Sequence, residues 1–406
     1  MNKPILPGTL VNGQPATLGV MGGGQLGRMF VHAAQRMGYF TVVLDPDPAS
    51  PAGLVSHHHI QTPYLDEQGL AQLMQRSAAI TTEFENVPAP ALVTLGAHRP
   101  VAPGADAVAV AQDRAAEKAH FCACGVPVAP YVVIETPEQL AALIEGPGAV
   151  PEVSRVGADL FPGILKTARL GYDGKGQIRI QNRADLAAAW DGLKNVPCVL
   201  EKMLPLAAEC SVIVARGADG AVVHFPVQRN VHRDGILALT EVFEGNLPLP
   251  IAKRSIDAAI SIANGLDYVG VLCVEFFVLA DGSLVVNEMA PRPHNSGHYT
   301  MEACDQSQFD LQVRTLAGLP LTPPRQHSPA ILLNLLGELW FDAAGGAVTP
   351  PWAELLALPG THLHLYGKLD ARRGRKMGHL TMTGADIAAV RATAARAAAL
   401  LGIAPF

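Results

Sequence analysis

The chain has 406 residues, about half of them apolar (49%) and only 16% charged, with a formal net charge of −6. That length suits two or three domains rather than one. The absence of a long basic run argues against nucleic acid as a partner, and no apolar run approaches the roughly 18 residues that cross a bilayer.

In chain order, residues 1–15 are polar, contain Pro and Gly, and lack the basic start and apolar core of a secretory signal. They predict a short disordered or strand-flanking extension. Thr17–Met21 predicts a strand, and the turn Gly22, Gly24, Gly27 opens a helix running to about Met37. Phe40–Leu44 and Ala78–Thr82 predict further strands, the first ending at Asp45 and the second at Glu83-Phe84-Glu85. Strands separated by helices imply a parallel sheet with helices on its faces, here over residues 16–110. Gly22-x-Gly24-x-x-Gly27 with Asp45 after the next strand fits the dinucleotide-binding fingerprint. The same turn also serves any phosphate or carboxylate at a helix N-terminus. His57, His58 and His59 lie in a polar connection with no partner at metal-ligand spacing and predict an exposed loop.

Gln112–Cys124 predicts a helix, broken by the Gly and Pro residues of 125–130. A strand-dense, antiparallel stretch follows, with segments at Gly163–Lys166, Gln177–Ile180, Cys198–Lys202, Glu209–Ala215 and Ala221–Pro226. The helix Ile251–Leu266 leads into a hairpin over Val269–Met289. Strands at Ala330–Leu335 and His362–Tyr366 precede an alanine-rich helix from Gly384, with Thr383 and Asp386 at capping-box spacing. The expected units are therefore 16–110, 111–310 with a subdomain at about 125–205, and 311–406. Six scattered cysteines, including Cys122 and Cys124 without a second metal-spaced pair, predict reduced thiols and a cytoplasmic protein.

The chemistry concentrates in the hairpin. Asp281-Gly282 between two apolar strands is a strong two-residue turn signal. With that loop Ala280 faces Ser283, and an unbroken register puts Glu275 opposite Glu288, their Cβ atoms about 5 Å apart on one face. Two carboxylates so close in an apolar strand repel each other, and a divalent cation such as Mg²⁺ or Mn²⁺, bridging to phosphates, removes the conflict. Gly171-Tyr172-Asp173-Gly174-Lys175-Gly176 lacks Walker spacing and predicts a hairpin lid whose amides cover phosphates, with Lys166 just upstream as a point charge. Arg292, His294, Asn295 and His298 follow the second glutamate at once. Lys368, Arg372, Arg373, Arg375 and Lys376 form the strongest basic patch, suited to a substrate phosphate.

The chain resembles the ATP-grasp superfamily, and within it the N5-carboxyaminoimidazole ribonucleotide synthetases, from about Thr17 to Leu380. The resemblance rests on Gly24-Gln25-Leu26-Gly27-Arg28-Met29, Thr82-Glu83-Phe84-Glu85-Asn86, Leu170–Gln177, His232-Arg233-Asp234-Gly235-Ile236, Asn287–His298 and Gly374–His379. It implies an ATP-grasp fold: an N-terminal Rossmann-like parallel-sheet domain, a central two-part domain and a small C-terminal domain. It implies an ATP-dependent carbon–nitrogen ligase of purine synthesis. ATP, bicarbonate and 5-aminoimidazole ribonucleotide would give the N5-carboxylated nucleotide, ADP and phosphate through carboxyphosphate. The implied ATP ligands are Arg114, Lys166, Gly171, Tyr172, Asp173, Gly174, Lys175, Gly176, Gln177, Glu201, Lys202, Met203, Leu204, Glu209, His232, Asn287 and Glu288. Glu275 and Glu288 would hold Mg²⁺. The ribonucleotide would meet Gln25, Leu26, Glu85, Tyr172, Asp173, Arg292, His294, Asn295 and Ser296, with its phosphate on Lys368 and Arg375. Lys166, Asp173, Arg292 and His294 would be catalytic. A homodimer joined through the central domains is also implied, with neither nucleic acid nor membrane as a partner. The alternatives are another ATP-grasp ligase on a purine intermediate, such as formate-dependent glycinamide ribonucleotide transformylase, a nicotinamide-dependent oxidoreductase built on Gly22–Gly27, or a nucleotide-binding module without turnover.

Overall fold

The computed structural model describes residues 3–145, 160–171 and 176–406. Its first unit is a four-stranded parallel sheet in the order His58–Ile60, Phe40–Leu44, Thr17–Met21, Ala79–Thr82. Thr17–Met21 is buried along its whole length because both faces are covered. Helices Gln25–Arg36 and Gln308–Ala317 pack through Phe30, Val31, Phe309 and Val313 in one apolar cluster. Helices Glu67–Arg76 and Ala89–Gly96 pack through Leu70, Leu73, Leu92 and Leu95 in another. The histidine run is exposed at His57 and His58, as its polarity predicts, but it is not a loop. His58–Ile60 is the edge strand, the Thr41 N–H donates to His57 Nδ1 at 3.1 Å, and His59 Nε2 lies 3.0 Å from the Asp45 carbonyl. The N-terminal stretch is also tied down. Leu10–Val11 pairs with Gln14–Pro15, the Ile5 N–H donates to the Ala317 carbonyl, and the Tyr39 hydroxyl donates to the Ile5 carbonyl.

A second sheet, antiparallel, runs Tyr131–Ile134, Cys198–Lys202, Gly163–Thr167, Gln177–Ile180. The third has nine strands and extends from Leu284–Ala290 and Gly270–Leu279 through Leu206–Arg216, Gln228–Arg233, Ile236–Val242 and Ala330–Leu336 to Lys376–Thr383 and Thr361–Leu365, with Val222–His224 beside Leu206–Arg216. Ile236–Val242 pairs directly with Ala330–Leu336, so strands from the last ninety residues continue the central sheet. The final helix, Ile387–Leu401, starts later than the expected capping box. Thr383 ends a strand, and Asp386 is itself the cap, accepting from the Ala389 N–H at 2.9 Å.

The hairpin corrects the sequence-based register and keeps its consequence. Val278 pairs with Leu284 and the Leu279 N–H donates to the Ser283 carbonyl, so the loop holds three residues, Ala280-Asp281-Gly282, with Gly282 at φ 79°. That is the three-residue turn closed by a left-handed glycine, not the two-residue one. Its register alone would put Glu275 opposite Asn287. A bulge then inserts one extra residue on the second strand: Phe276 pairs with Val286, but Glu275 pairs with Glu288. The apolar parity of the strand shows the same shift. Leu284 and Val286 join the cluster around helix Leu249–Gly265, and after Asn287 the next residue to join it is Met289. Glu288 is thereby turned away from that core onto the face of Glu275.

Candidate active site

A cavity of about 630 Å³ lies where these sheets meet. It is lined by Gln25, Leu26 and Glu85 from the first unit; by Arg114, Gly171, Glu275, Glu288, Arg292, His294 and Asn295 from the middle; and by Lys368 and Arg375 from the end of the chain. These site residues, far apart in sequence, share one space. Tyr172, Asp173, Gly174 and Lys175 lie outside the described residues. Lys166, Gly176, Gln177, the segment 201–204, Glu209, His232, Asn287 and Ser296 do not line the cavity.

Asp113 caps helix Arg114–Ala123, accepting from the Ala115 and Ala116 amides at 3.0 and 3.2 Å. The cap fixes Arg114 at the first helical position. Arg114 Nη1 sits 3.0 Å from Glu288 Oε2, and Nη2 donates to the Gly171 carbonyl at 3.3 Å. One guanidinium thus joins the acidic hairpin to the start of the glycine loop. Burial works to raise the Glu288 carboxyl, but Arg114 and then Lys166 hold it below its usual range. Glu275 goes the other way. Burial first, then the facing Glu288, push it up to about 7. The two opposed carboxylates therefore share one proton at mildly acidic pH and release it near neutrality, the behaviour of like charges sharing a site.

His294 buttresses Glu275, with Nε2 3.0 Å from Oε1. The Ser296 N–H points at His294 Nδ1, which leaves the Nε2–H for Glu275. Burial, then Arg292, hold His294 well below the ordinary histidine range, so the ring is neutral. Ser296 is fully buried, its hydroxyl 2.8 Å from Ser211 Oγ and 2.9 Å from His294 Nδ1. It stands behind the imidazole, where it orients the ring without reaching the cavity. Arg292 is ion-paired through Nε to Glu85, and that partner holds the Glu85 carboxyl at about 2 against the effect of burial. This pair spans the first and middle units.

The remaining nucleotide candidates lie alongside. Lys166 Nζ is 3.2 Å from Glu201 Oε1, and Lys118 Nζ is 3.1 Å from Glu201 Oε2. Burial raises the Glu201 carboxyl, but Lys118, Lys166 and Arg114 outweigh it and hold the group at about 2. The amides of Lys202 and Met203 already donate to the Pro130 and Pro162 carbonyls. His232 Nδ1 lies 2.5 Å from Glu209 Oε2. Lys368 Nζ donates to the Lys376 carbonyl and Arg375 Nη1 to the Asp370 carbonyl, which fixes the basic segment at the cavity edge.

Three contributors escaped the sequence. Lys118, one turn after Arg114, is almost fully buried against Glu201; the i, i+4 spacing of two cations on one helix face was the available signal. Glu117 accepts from the Met289 N–H at 2.7 Å and is pushed up to about 8 by burial and Glu288, so a neutral carboxyl grips the bulged strand. Glu83 accepts from the Gly24 and Gly27 amides at 2.6 and 2.8 Å, while Asp45 takes the Gly23 amide at 2.7 Å. The glycine turn is thus closed by the chain's own carboxylates. A dinucleotide pyrophosphate would have to displace these carboxylates from the Gly23, Gly24 and Gly27 amides, which counts against the nicotinamide alternative.

With this geometry in hand, comparison with known proteins is specific. Residues 119–309 match the ATP-grasp domain family, residues 15–112 the ribonucleotide synthetase preATP-grasp domain, and residues 330–393 the phosphoribosylaminoimidazole carboxylase C-terminal domain. The N5-carboxyaminoimidazole ribonucleotide synthase of Brucella melitensis is 41% identical over 368 residues, 90% of this chain and 96% of that protein. An ADP complex of an N5-carboxyaminoimidazole ribonucleotide synthetase superposes with a TM-score of 0.86 at 36% identity, over 99% of both chains. The Aspergillus clavatus enzyme in complex with ADP and 5-aminoimidazole ribonucleotide superposes with a TM-score of 0.83 at 30% identity, over 95% of this chain and 98% of that one.

Proposed function

The chain belongs to the N5-carboxyaminoimidazole ribonucleotide synthase family, and we propose that the cavity behind Glu275 and Glu288 is where its three substrates meet. The reaction is the ATP-dependent carboxylation of 5-aminoimidazole ribonucleotide by bicarbonate, a carbon–nitrogen ligation of purine biosynthesis. The observation that carries the site assignment is the opposed glutamate pair, facing a rim of Arg292, Lys368 and Arg375 across one cavity.

Each group then has a task. A bicarbonate oxygen attacks the γ-phosphorus of ATP and ADP leaves; the exocyclic amine then takes the carboxyl carbon, from carboxyphosphate directly or from the CO₂ it releases, with loss of phosphate and of an amine proton. Lys166 meets the nucleotide phosphates, and Lys118 keeps Glu201 paired when Lys166 turns to them. Arg292, held by Glu85, presents its remaining guanidinium donors to the carboxylate being transferred. His294, neutral, holds Glu275 in place. Lys368 and Arg375 take the ribonucleotide phosphate. Tyr172 and Asp173 keep the roles that the resemblance implies.

The donors fit Mg²⁺. They are two facing carboxylates, one of them pushed up by burial and by the other, with Asn287 Oδ1 buried at the bulge and without a hydrogen-bond partner among the described residues. Bound there with ATP, the ion would neutralise phosphate charge and align the transferring group. We assign the units as residues 16–110, 111–310 and 311–406. We infer further that two copies pair through their central domains, which a single-chain mass in light scattering would overturn. All six cysteines are free, which supports a cytoplasmic location, and no helix among the described residues is long and apolar enough to cross a membrane.

The test is ADP release from MgATP with bicarbonate, with and without 5-aminoimidazole ribonucleotide. Strong stimulation by the ribonucleotide is expected. Stimulation by formate and glycinamide ribonucleotide instead would transfer the site to the alternative ligase.

A further inference from the structure

A second cluster of ligating side chains lies outside the cavity, and the reaction above makes no use of it. His364 and His379 are directly opposite each other on the paired strands Thr361–Leu365 and Lys376–Thr383, their rings stacked at 4.7 Å. Glu302, in the short helix Thr300–Ala303, puts Oε1 2.6 Å from His364 Nε2. The donor atoms of Glu302, His364 and His379 all lie within 4.8 Å of one another. The cluster also contains buried polar atoms with no hydrogen-bond partner among the described residues: His379 Nε2, Glu302 Oε2 and, on the adjoining ring, His298 Nε2. His379 is fully buried, and a polar atom left unsatisfied there is costly.

We propose that Glu302, His364 and His379 form a binding site for a transition-metal dication of the zinc type. Two imidazoles and one carboxylate are a zinc donor set, whereas magnesium prefers an all-oxygen shell. The surroundings fit in three further ways. Tyr366 Oη lies 2.9 Å from His379 Nδ1, the outer-shell partner that fixes a ligating histidine with its other nitrogen free for the metal. Burial and the neighbouring imidazoles hold His379 well below the ordinary histidine range, in the neutral form that coordinates. The His364 side chain is about a third exposed, which gives an entry path and leaves a coordination position to water. Zinc–nitrogen distances of about 2 Å require the two rings to tilt out of their stack and draw together, and the exposed His364 has room to do so.

The placement gives the site a consequence. Glu302 follows the segment carrying Arg292 and His294, and His379 sits in the strand that begins at Lys376 of the basic segment. A metal here would pin the two lips of the cavity to each other without touching substrate.

The full chain, stripped with a chelator and dialysed against Zn²⁺ alone, is expected to retain one zinc per chain by atomic emission. His364→Gln is expected to abolish that retention with the circular dichroism spectrum unchanged. Tyr366→Phe should weaken binding roughly 10- to 100-fold. Co²⁺ in place of Zn²⁺ should give the visible absorption of a tetrahedral site, lost in His364→Gln. Glu288→Gln should keep the zinc. Retention in His364→Gln equal to wild type, loss in Glu288→Gln, or no zinc in the wild type would each overturn the proposal.

Discussion

Two sets of carboxylates border the same cavity and are compensated differently. Glu83 is half-buried at the glycine turn, where the Gly24 and Gly27 amides at the start of helix Gln25–Arg36 receive it. Glu275 and Glu288 face each other across a bulge, each with one cation or imidazole neighbour, and one of them is pushed up to about 7. The Gly22–Gly27 turn was the more familiar motif and the hairpin pair the less familiar one. What separates them is compensation. A carboxylate answered by amides is architecture, while two carboxylates left facing each other await a cation.

That contrast can be broken by substitution. The largest effect is expected at Glu288→Gln, which removes one of the facing charges while keeping volume. ADP release in the presence of all substrates should fall about 100- to 1000-fold in kcat, and near-normal turnover would take the phosphoryl chemistry elsewhere. Arg375→Ala should raise the KM for the ribonucleotide about 10- to 100-fold, the worth of a charged hydrogen bond, and leave the KM for ATP unchanged. A shift in both would move the substrate phosphate off this segment. Glu83→Ala should act on stability, losing about 2 kcal/mol in denaturant titration as two amides of the turn lose their acceptor. Unchanged stability would contradict the structural role.

The smallest effect is a slope with pH. In metal-free protein Glu275 holds its proton up to about pH 7, whereas the ordinary glutamate value is 4.5. Between these values the folded state binds a proton that the unfolded chain has lost. Stability should therefore fall as pH rises through that window. Glu275→Gln should flatten this part of the Tm–pH curve, and an identical slope in the variant would remove the coupling between the two glutamates.

The sequence carried the alternation of strands and helices in the first unit because a doubly covered parallel sheet writes itself as short apolar runs, such as Thr17–Met21. It did not reveal the strands Gln228–Arg233 and Ile236–Val242, whose alternation is broken by buried Gln228, Asn230 and Thr240. These side chains are satisfied by Ser211 and by one another, a network no linear pattern displays. The pairing of Glu275 with Glu288 was anticipated through the wrong loop. A three-residue turn and a one-residue bulge offset each other, and the parity change from Val286 to Met289 was the visible trace of both. The cavity candidates were legible through the resemblance. Lys118, Glu117 and Glu83 were not, because their partners are main-chain groups or residues up to 172 positions away.

The most direct test of the contrast is Mn²⁺ binding, with Mn²⁺ standing in for Mg²⁺, measured by electron paramagnetic resonance in the presence of ADP. Wild type and Glu83→Gln are expected to bind the ion alike, and Glu288→Gln to lose it. Equal binding in Glu288→Gln, or loss in Glu83→Gln, would contradict the assignment of the opposed pair as the metal carboxylates.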